Sequence, residues 1–313
     1  MLRPARFGVC VDPGYPVVLL HALDELGLRP DVVVTLDPTE TPPDAGPLRR
    51  FKSGAARWLG AAPIALARAP LRGMSSTWAF AHDRGWRTVD SSGVRDGRLA
   101  AKLRPLDLDY LLFAGFSLVG DDILRCARVA ALGMRPSLLP RHRGALPTVL
   151  SALDGFHAAG FTISRMDAGI DTGAILVQEP VPAAPSDDAR TQLEHAVLLG
   201  ALRLARLTAS LVAGAPLPEP RPQSSSEPMA RRPTAESCRL QAGMSASEVD
   251  RRIRAGSCFG GALLNVDGVD IRVLAVLPEG PPVSTAVPLG ARMVLVPLVT
   301  DTIDVLTLLA APL

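Results

Sequence analysis

Lysine is almost missing from this chain: of its 33 basic residues only Lys52 and Lys102 are lysines, and the rest are arginines. With its many alanines and its 29 prolines, the chain reads as the product of GC-rich coding, which needs no arginine-specific role. Cysteine is sparse as well. Cys10, Cys126, Cys238 and Cys258 are scattered, with no C-x-x-C pair and no metal-ligand spacing. That excludes the usual zinc and dithiol signatures and predicts buried free thiols in a reducing compartment. No stretch approaches the roughly 18 consecutive apolar residues of a membrane span, and the N-terminus shows no apolar signal-peptide core. The expectation is a cytoplasmic protein with no membrane partner. A large excess of either charge is also missing, since a formal net charge of +2 does not by itself call for nucleic acid or an anionic surface. What is present is a globular composition, 48% hydrophobic and 20% charged over 313 residues. This is enough for one large or two medium domains with a substantial core.

The first half alternates strand-like and helix-like patterns, as expected for a parallel sheet with helices on its faces. Strands are expected over 7–11, 31–36 and 110–113, with a helix over about 16–26 that Gly27 stops. Helices are also expected near 48–59 and 76–84, over 121–131, and at 147–153 after Pro147. Residues 161–166 and 174–178 read as strands, and 191–212 as an amphipathic helix covering the sheet. From Gly214 the composition changes: prolines at 216, 218, 220, 222, 228 and 233 flank Ser224-Ser225-Ser226, the pattern of a stiff polar linker. Beyond it, a helix over about 245–254 precedes short strands at 261–266, 270–276 and 293–297, a pattern that fits a small β-barrel of OB-like type. The expected division is an α/β, Rossmann-like domain over 1–214, a linker over 215–232, and the barrel domain over 233–313.

The most specific stretch is Gly133-Met134-Arg135-Pro136-Ser137-Leu138-Leu139-Pro140-Arg141-His142-Arg143-Gly144, followed by Gly169-Ile170-Asp171-Thr172-Gly173. Around it stand Phe113-Ala114-Gly115-Phe116-Ser117, Gly160-Phe161-Thr162-Ile163 and Met166-Asp167; further on come Arg231-Arg232-Pro233-Thr234-Ala235-Glu236, Ile253-Arg254-Ala255 and Gly261-Ala262. Together these resemble the folate-dependent formyltransferases, among them methionyl-tRNA formyltransferases and sugar N-formyltransferases. In that family an Asn-x-His-Pro-Ser-Leu-Leu-Pro run precedes an Asp-Thr-Gly turn. The family's Asp falls on Asp171, but its Asn falls on Gly133 and its His on Arg135.

The resemblance implies a formyl transfer from 10-formyltetrahydrofolate to an amine, without a metal. Such a transfer passes through an oxyanion that needs hydrogen-bond donors, and the attacking amine must lose a proton. Gly133 offers no side chain. Arg135 is a fixed cation with five donors that cannot exchange a proton near neutrality. Three roles stay open for it: an ion pair with Asp171, an anchor for a carboxylate or phosphate, or direct stabilisation of the oxyanion. Asp171 and Arg135 are therefore the candidate catalytic residues. The resemblance places Phe116, Leu118, Val119, Gly120, Met166, Asp167, Gly169 and Ile170 around the folate, and Ser137, Leu138, Arg143 and Gly144 towards the acceptor. None of the five histidines is a convincing substitute: His142 sits in an ordinary position of the motif, His157 lies in a loop, His195 lies on a helix, and His21 and His82 fall outside the motif.

The acceptor implied is a small-molecule or carrier-bound amine. A tRNA acceptor is disfavoured, because the segment after the second strand, Asp37-Pro38-Thr39-Glu40-Thr41-Pro42-Pro43-Asp44, is acidic and would repel phosphate. A homodimer is compatible with this reading. Two alternatives accompany the transferase: an enzyme that uses the same cleft for other chemistry, and a non-catalytic protein that keeps the pocket.

Overall fold

The computed structural model describes residues 3–11, 17–35, 77–91, 94–115, 119–223 and 227–276, together with strands at 287–288, 294–299 and 305–312. Seven strands form the main sheet: β1 (Phe7–Val11), β2 (Val32–Thr35), β3 (Thr88–Asp90), β4 (Leu108–Ala114), β5 (Ala127–Arg135), β6 (Gly160–Arg165) and β7 (Ile175–Pro180). Their order is β3-β2-β1-β4-β5-β6-β7. β1 to β5 are parallel, whereas β6 runs antiparallel to β5 and β7 antiparallel to β6. The sheet is thus Rossmann-like with a reversed strand near one edge. Every residue of β1, β2 and β4 is buried, as expected for strands covered on both faces, which read as apolar runs without alternation.

Alternate residues of these strands feed two cores. Val9, Val11, Leu112, Leu132 and Phe161 meet Leu19, Leu20 and Phe80 on one face. The helices there are α1 (Val17–Glu25), α2 (Thr77–Asp83) and, further along the chain, the 24-residue Ala189–Val212. Cys10, Val32, Val34, Leu111 and Phe113 meet Leu99, Leu103 and Ile123 on the other face, from α3 (Arg98–Leu103) and α4 (Asp121–Leu124).

The helix expected over 121–131 stops at Leu124. Residues 127–135 are instead β5, paired with β4 through Leu111↔Ala131, Leu112↔Leu132 and Phe113↔Gly133. Alanine-rich sequence favours helix locally, but pairing with β4, which buries Ala130 and Ala131, outweighs that preference. The helix expected near 48–59 lies outside the described residues.

After α5 (Pro147–Leu153) and the β6–β7 hairpin, Ala189–Val212 forms α6, opened by the Asp188 side chain accepting from the Thr191 N–H at 2.8 Å. α6 is apolar enough to cross a membrane by length and composition, yet half of that stretch is buried inside the protein. Gly200 lets it come close to the sheet, since a Cβ there would stand 2.8 Å from Met134 Sδ.

A second sheet follows α7 (Ala246–Gly256): β8 (Ala262–Val266), β9 (Val269–Val276), β10 (Val287–Pro288), β11 (Val294–Val299) and β12 (Val305–Pro312). It is antiparallel in the order β10-β11-β12-β9-β8, a small second unit with one helix. It shares a core with the first part: Val149, Ala152 and Phe156 pack with Val249, Ile253, Phe259 and Val273. Arg254 adds a polar latch, donating through Nε to the Asp187 carbonyl at 2.6 Å while its guanidinium lies over the Phe156 ring at 4.6 Å. The four cysteines are free and buried, and burial pushes the Cys238 and Cys258 thiols up to about 12, so neither is a thiolate at neutral pH.

Leu204 is fully buried between α6 and the sheet, whereas Leu202 on the same helix is 38% exposed. Leu204→Ala is expected to cost about 2–5 kcal/mol in chemical denaturation, and Leu202→Ala less than about 0.5 kcal/mol.

Candidate functional site

The site is built where β5 ends and the chain turns through Pro136 to Gly144. Thr162 of β6, opposite Arg135 in register, organises the turn. Its hydroxyl donates to the Ser137 carbonyl at 2.7 Å and accepts from the Leu139 N–H at 3.1 Å. It also accepts from Gln178 Nε2 at 3.0 Å, while that amide donates to the Leu139 carbonyl at 2.7 Å. Leu138 is held close because residue 160 is glycine: a Cβ there would stand 2.5 Å from Leu138 Cδ2. Ser137 is buried and its hydroxyl oxygen has no partner.

Arg135 then faces inward. Its Nη1 lies 3.1 Å from Asp171 Oδ2, and both side chains are 19% exposed. Its Nη2 donates to the carbonyls of His142, at 3.2 Å, and Gly144. The Gly144 N–H donates to the same Asp171 oxygen at 2.9 Å. Of the three roles open to Arg135, the ion pair with Asp171 is the arrangement observed. Burial pulls the guanidinium below the usual arginine range and the Asp171 carboxylate opposes that pull; an arginine stays charged at neutral pH regardless. Its Nε is buried and has no hydrogen-bond partner.

Asp171 reaches Arg135 because the loop between β6 and β7 folds back over β5. The Met166 N–H donates to the Ala131 carbonyl at 2.8 Å. Asp167 Oδ1 accepts from the Gly169 N–H at 3.1 Å and the Thr172 hydroxyl at 2.6 Å, a local Asx turn. Asp171 sits in the left-handed region at φ 57°, a conformation that aspartate tolerates better than most residues. Gly173 must be glycine, since a Cβ would stand 2.0 Å from the Arg165 carbonyl oxygen. Met166 fills the room beside Gly133: a Cβ there would lie 3.0 Å from Met166 Cγ and 3.1 Å from Sδ.

The remaining expected residues divide. Arg143 and Gly144 belong to this cluster, with Arg143 buried. Val119 and Met166 pack against one core cluster, and Gly120 opens α4. Ile170 is 41% exposed. Phe116 and Leu118 lie outside the described residues, as does the acidic segment 37–44. His142 is bound to Asp154, Nε2 to Oδ2 at 2.8 Å, and presents only its carbonyl to Arg135. His157 is exposed and His195 lies 3.8 Å from Asp187, so none of these three supplies an imidazole to the pair. Among the described residues no group of His, Cys, Asp and Glu is arranged to hold a metal.

Sequence reasoning missed one contributor. The segment expected to be a plain linker pairs with the start of β7, Arg221 and Ile175 exchanging N–H···O bonds of 2.8 and 2.9 Å. It then brings Gln223 to the Asp171 turn and to Arg143. The only signal was a polar residue inside a proline-rich run, which points to no contact.

Removing the carboxylate while keeping the turn tests the pair. Asp171→Asn retains left-handed tolerance but leaves Arg135 without its counter-ion. The expected loss is about 1–3 kcal/mol in thermal or chemical denaturation, below the ~3–5 kcal/mol of a fully buried pair because both groups are partly exposed.

A formyl transferase domain model matches residues 59–200. The methionyl-tRNA formyltransferase of Anaeromyxobacter dehalogenans strain 2CP-1 is 34% identical over 216 residues, covering 69% of this chain and 68% of the relative. That of Halorhodospira halophila is 29% identical over 87% of this chain and 79% of the relative. Among solved structures, an N-formyltransferase from Helicobacter canadensis, determined with folinic acid and dTDP-3-aminofucose, shares the fold at a TM-score of 0.60 and 14% identity. It covers 98% of this chain and 99% of the neighbour. On its sequence, its mostly parallel sheet and the Ser-Leu-Leu-Pro and Asp-Thr-Gly turns that meet at its site, the chain belongs to the folate-dependent formyltransferase family.

Proposed function

We propose that the cleft formed by the Val119–Gly120 turn, Met166 and the Asp171 loop binds a formylated tetrahydrofolate and supports formyl transfer to an amine. The observation that carries this reading is the Arg135–Asp171 pair, placed on the family's two turns. The residues present fit such a carrier. Val119 and Met166 are partly buried apolar residues packed against one core cluster and would give apolar walls, Ile170 adds an exposed aliphatic surface, and Arg135 keeps a buried Nε–H without an acceptor. The bound carrier would supply the activated formyl carbon. Arg135 would hold negative charge developing on the formyl oxygen, a role in which one good donor is worth on the order of 10²–10³ in rate. Asp171 accepts Arg135 and Gly144 through one oxygen, Oδ2; its other oxygen would take the amine proton, directly or through water.

The relatives' acceptor is a tRNA-borne amine by name. For this chain we favour an amine on a small molecule or carrier, because the acidic segment 37–44 follows β2, and we place the reaction in the cytoplasm. With no imidazole at the pair, a weakly basic amine that arrives already deprotonated suits the site better than an alkyl ammonium. A second reading, a folate-binding protein without transfer, is favoured by one observation: Met166 occupies the space beside Gly133.

Incubation with 10-formyltetrahydrofolate and a panel of aryl, sugar and alkyl amines, followed by mass spectrometry, is expected to show the mass gain of one formyl group, greatest on weakly basic amines. Thermal stabilisation by 5-formyltetrahydrofolate with no product on any amine selects the binding protein, and the absence of both overturns folate as the ligand. Gly133→Asn with Arg135→His is expected to raise transfer only slightly while Met166 blocks the new amide. Adding Met166→Ala should raise the rate on the order of 10²-fold, measured as initial velocity at saturating carrier.

A further inference from the structure

Gln223 uses every hydrogen-bonding capacity of its carboxamide at this site. Nε2 donates to the Asp171 carbonyl at 3.0 Å and to the Gly173 carbonyl at 2.6 Å. Oε1 accepts from Arg143 Nη2 at 2.9 Å and Nε at 3.3 Å. The assignment of amide nitrogen and oxygen follows from the partners. Reversed, the oxygen would face two carbonyl oxygens and the NH₂ would face a guanidinium, neither of which can pair. The same segment continues across Arg143 and Gly144: the Glu227 carbonyl accepts from Arg143 Nη1 at 3.3 Å, and the Ala230 N–H donates to the Arg143 carbonyl at 3.0 Å. Gly144 sits at φ 101°, a conformation that strains any side chain, and a Cβ there would be crowded at 3.1 Å from the Ala230 carbonyl oxygen.

We infer that Gln223 is a positioning residue: it joins the Asp171 turn to the Arg143–Gly144 turn, so that the Asp171 carboxylate stays aligned on Arg135 and on the Gly144 N–H. Asp167 ties the loop to itself, through the Gly169 N–H and the Thr172 hydroxyl, whereas Gln223 binds the carbonyls on either side of Thr172 and carries them to Arg143. Gln223 lies beyond α6, in the segment that precedes α7 and the C-terminal sheet, so a residue outside the main sheet takes part in aligning the pair. The role in chemistry rests on the reading of the cleft given above; the alignment itself does not.

Hydrogen exchange on the full chain separates the two, because the Gly144 amide reports the Asp171 carboxylate without any folate. Two variants are compared with the natural protein. Gln223→Leu removes both sets of bonds. Gln223→Glu keeps an acceptor for Arg143 but turns a carboxylate oxygen toward two carbonyls. Both are expected to speed exchange of the Gly144 amide at least tenfold while amides of β1 and β4 exchange as before. 5-Formyltetrahydrofolate affinity is expected to fall in parallel, about tenfold or more. Unchanged Gly144 exchange in both variants overturns the inference. Uniformly faster exchange across the sheet in both overturns it too, leaving Gln223 a general stabiliser. If the natural protein binds no 5-formyltetrahydrofolate, the folate reading fails while the exchange result still decides the role of Gln223.

Discussion

A guanidinium withdrawn from water at the end of a central strand has to be neutralised, and most of the site follows from that requirement. Arg135 stands where β5 leaves the sheet, 19% exposed, too far from bulk water for solvent to carry its charge cheaply. The chain answers with one carboxylate and two carbonyls: Asp171 on the β6–β7 loop, and His142 and Gly144 on the turn after the Ser-Leu-Leu-Pro run. The Gly144 amide then shares the carboxylate oxygen, so the charge pair joins the two turns, alongside the carboxamide of Gln223. Breaking either side exposes the other as an uncompensated group, which makes the pair a joint of the fold as well as the centre of its site.

The sheet topology explains why such a joint is possible. In an all-parallel sheet the loop following β6 would leave from the same end as Arg135 and compete with the turn at Pro136. Here β6 is reversed, so the loop starts opposite Ala131 and must double back along β5 to reach Arg135. Doubling back brings Met166 against Gly133 and needs close contacts at Gly173, where a side chain would collide with the Arg165 carbonyl. A loop so folded spends its own hydrogen bonds locally and depends on a neighbour for the rest, which the segment following α6 supplies. The C-terminal sheet in turn is fixed to α5 through a shared core.

How much of this the sequence discloses depends on the range of the interaction. Uniformly apolar, β-branched strands such as β1 and β2 are legible because burial on both faces leaves one reading of the pattern. The turns are legible because Pro, Gly and Asp carry local backbone requirements. Residues 127–131 are misread as helix because alanine expresses a local preference, and only the neighbouring strand reveals the tertiary one. Arg135 had three possible roles in sequence terms; distance shows the ion pair with Asp171. Gln223 was invisible, since nothing within a few residues of it hints at a turn some fifty positions earlier.

A guanidinium where an imidazole would stand also sets what the pair can do as pH varies. A histidine beside Asp171 would gain and lose its charge within the physiological range, so that the pair would alternate between a relay and an ion pair. Arg135 stays cationic across that range, and the charge at the joint therefore stays fixed while the fold persists. In the reading proposed above, such a pair would hold developing negative charge permanently, whereas proton removal would fall to the second Asp171 oxygen or to the acceptor itself. The chemical demand would then move from the protein to its substrate, and the identity of the amine would be the variable on which turnover depends.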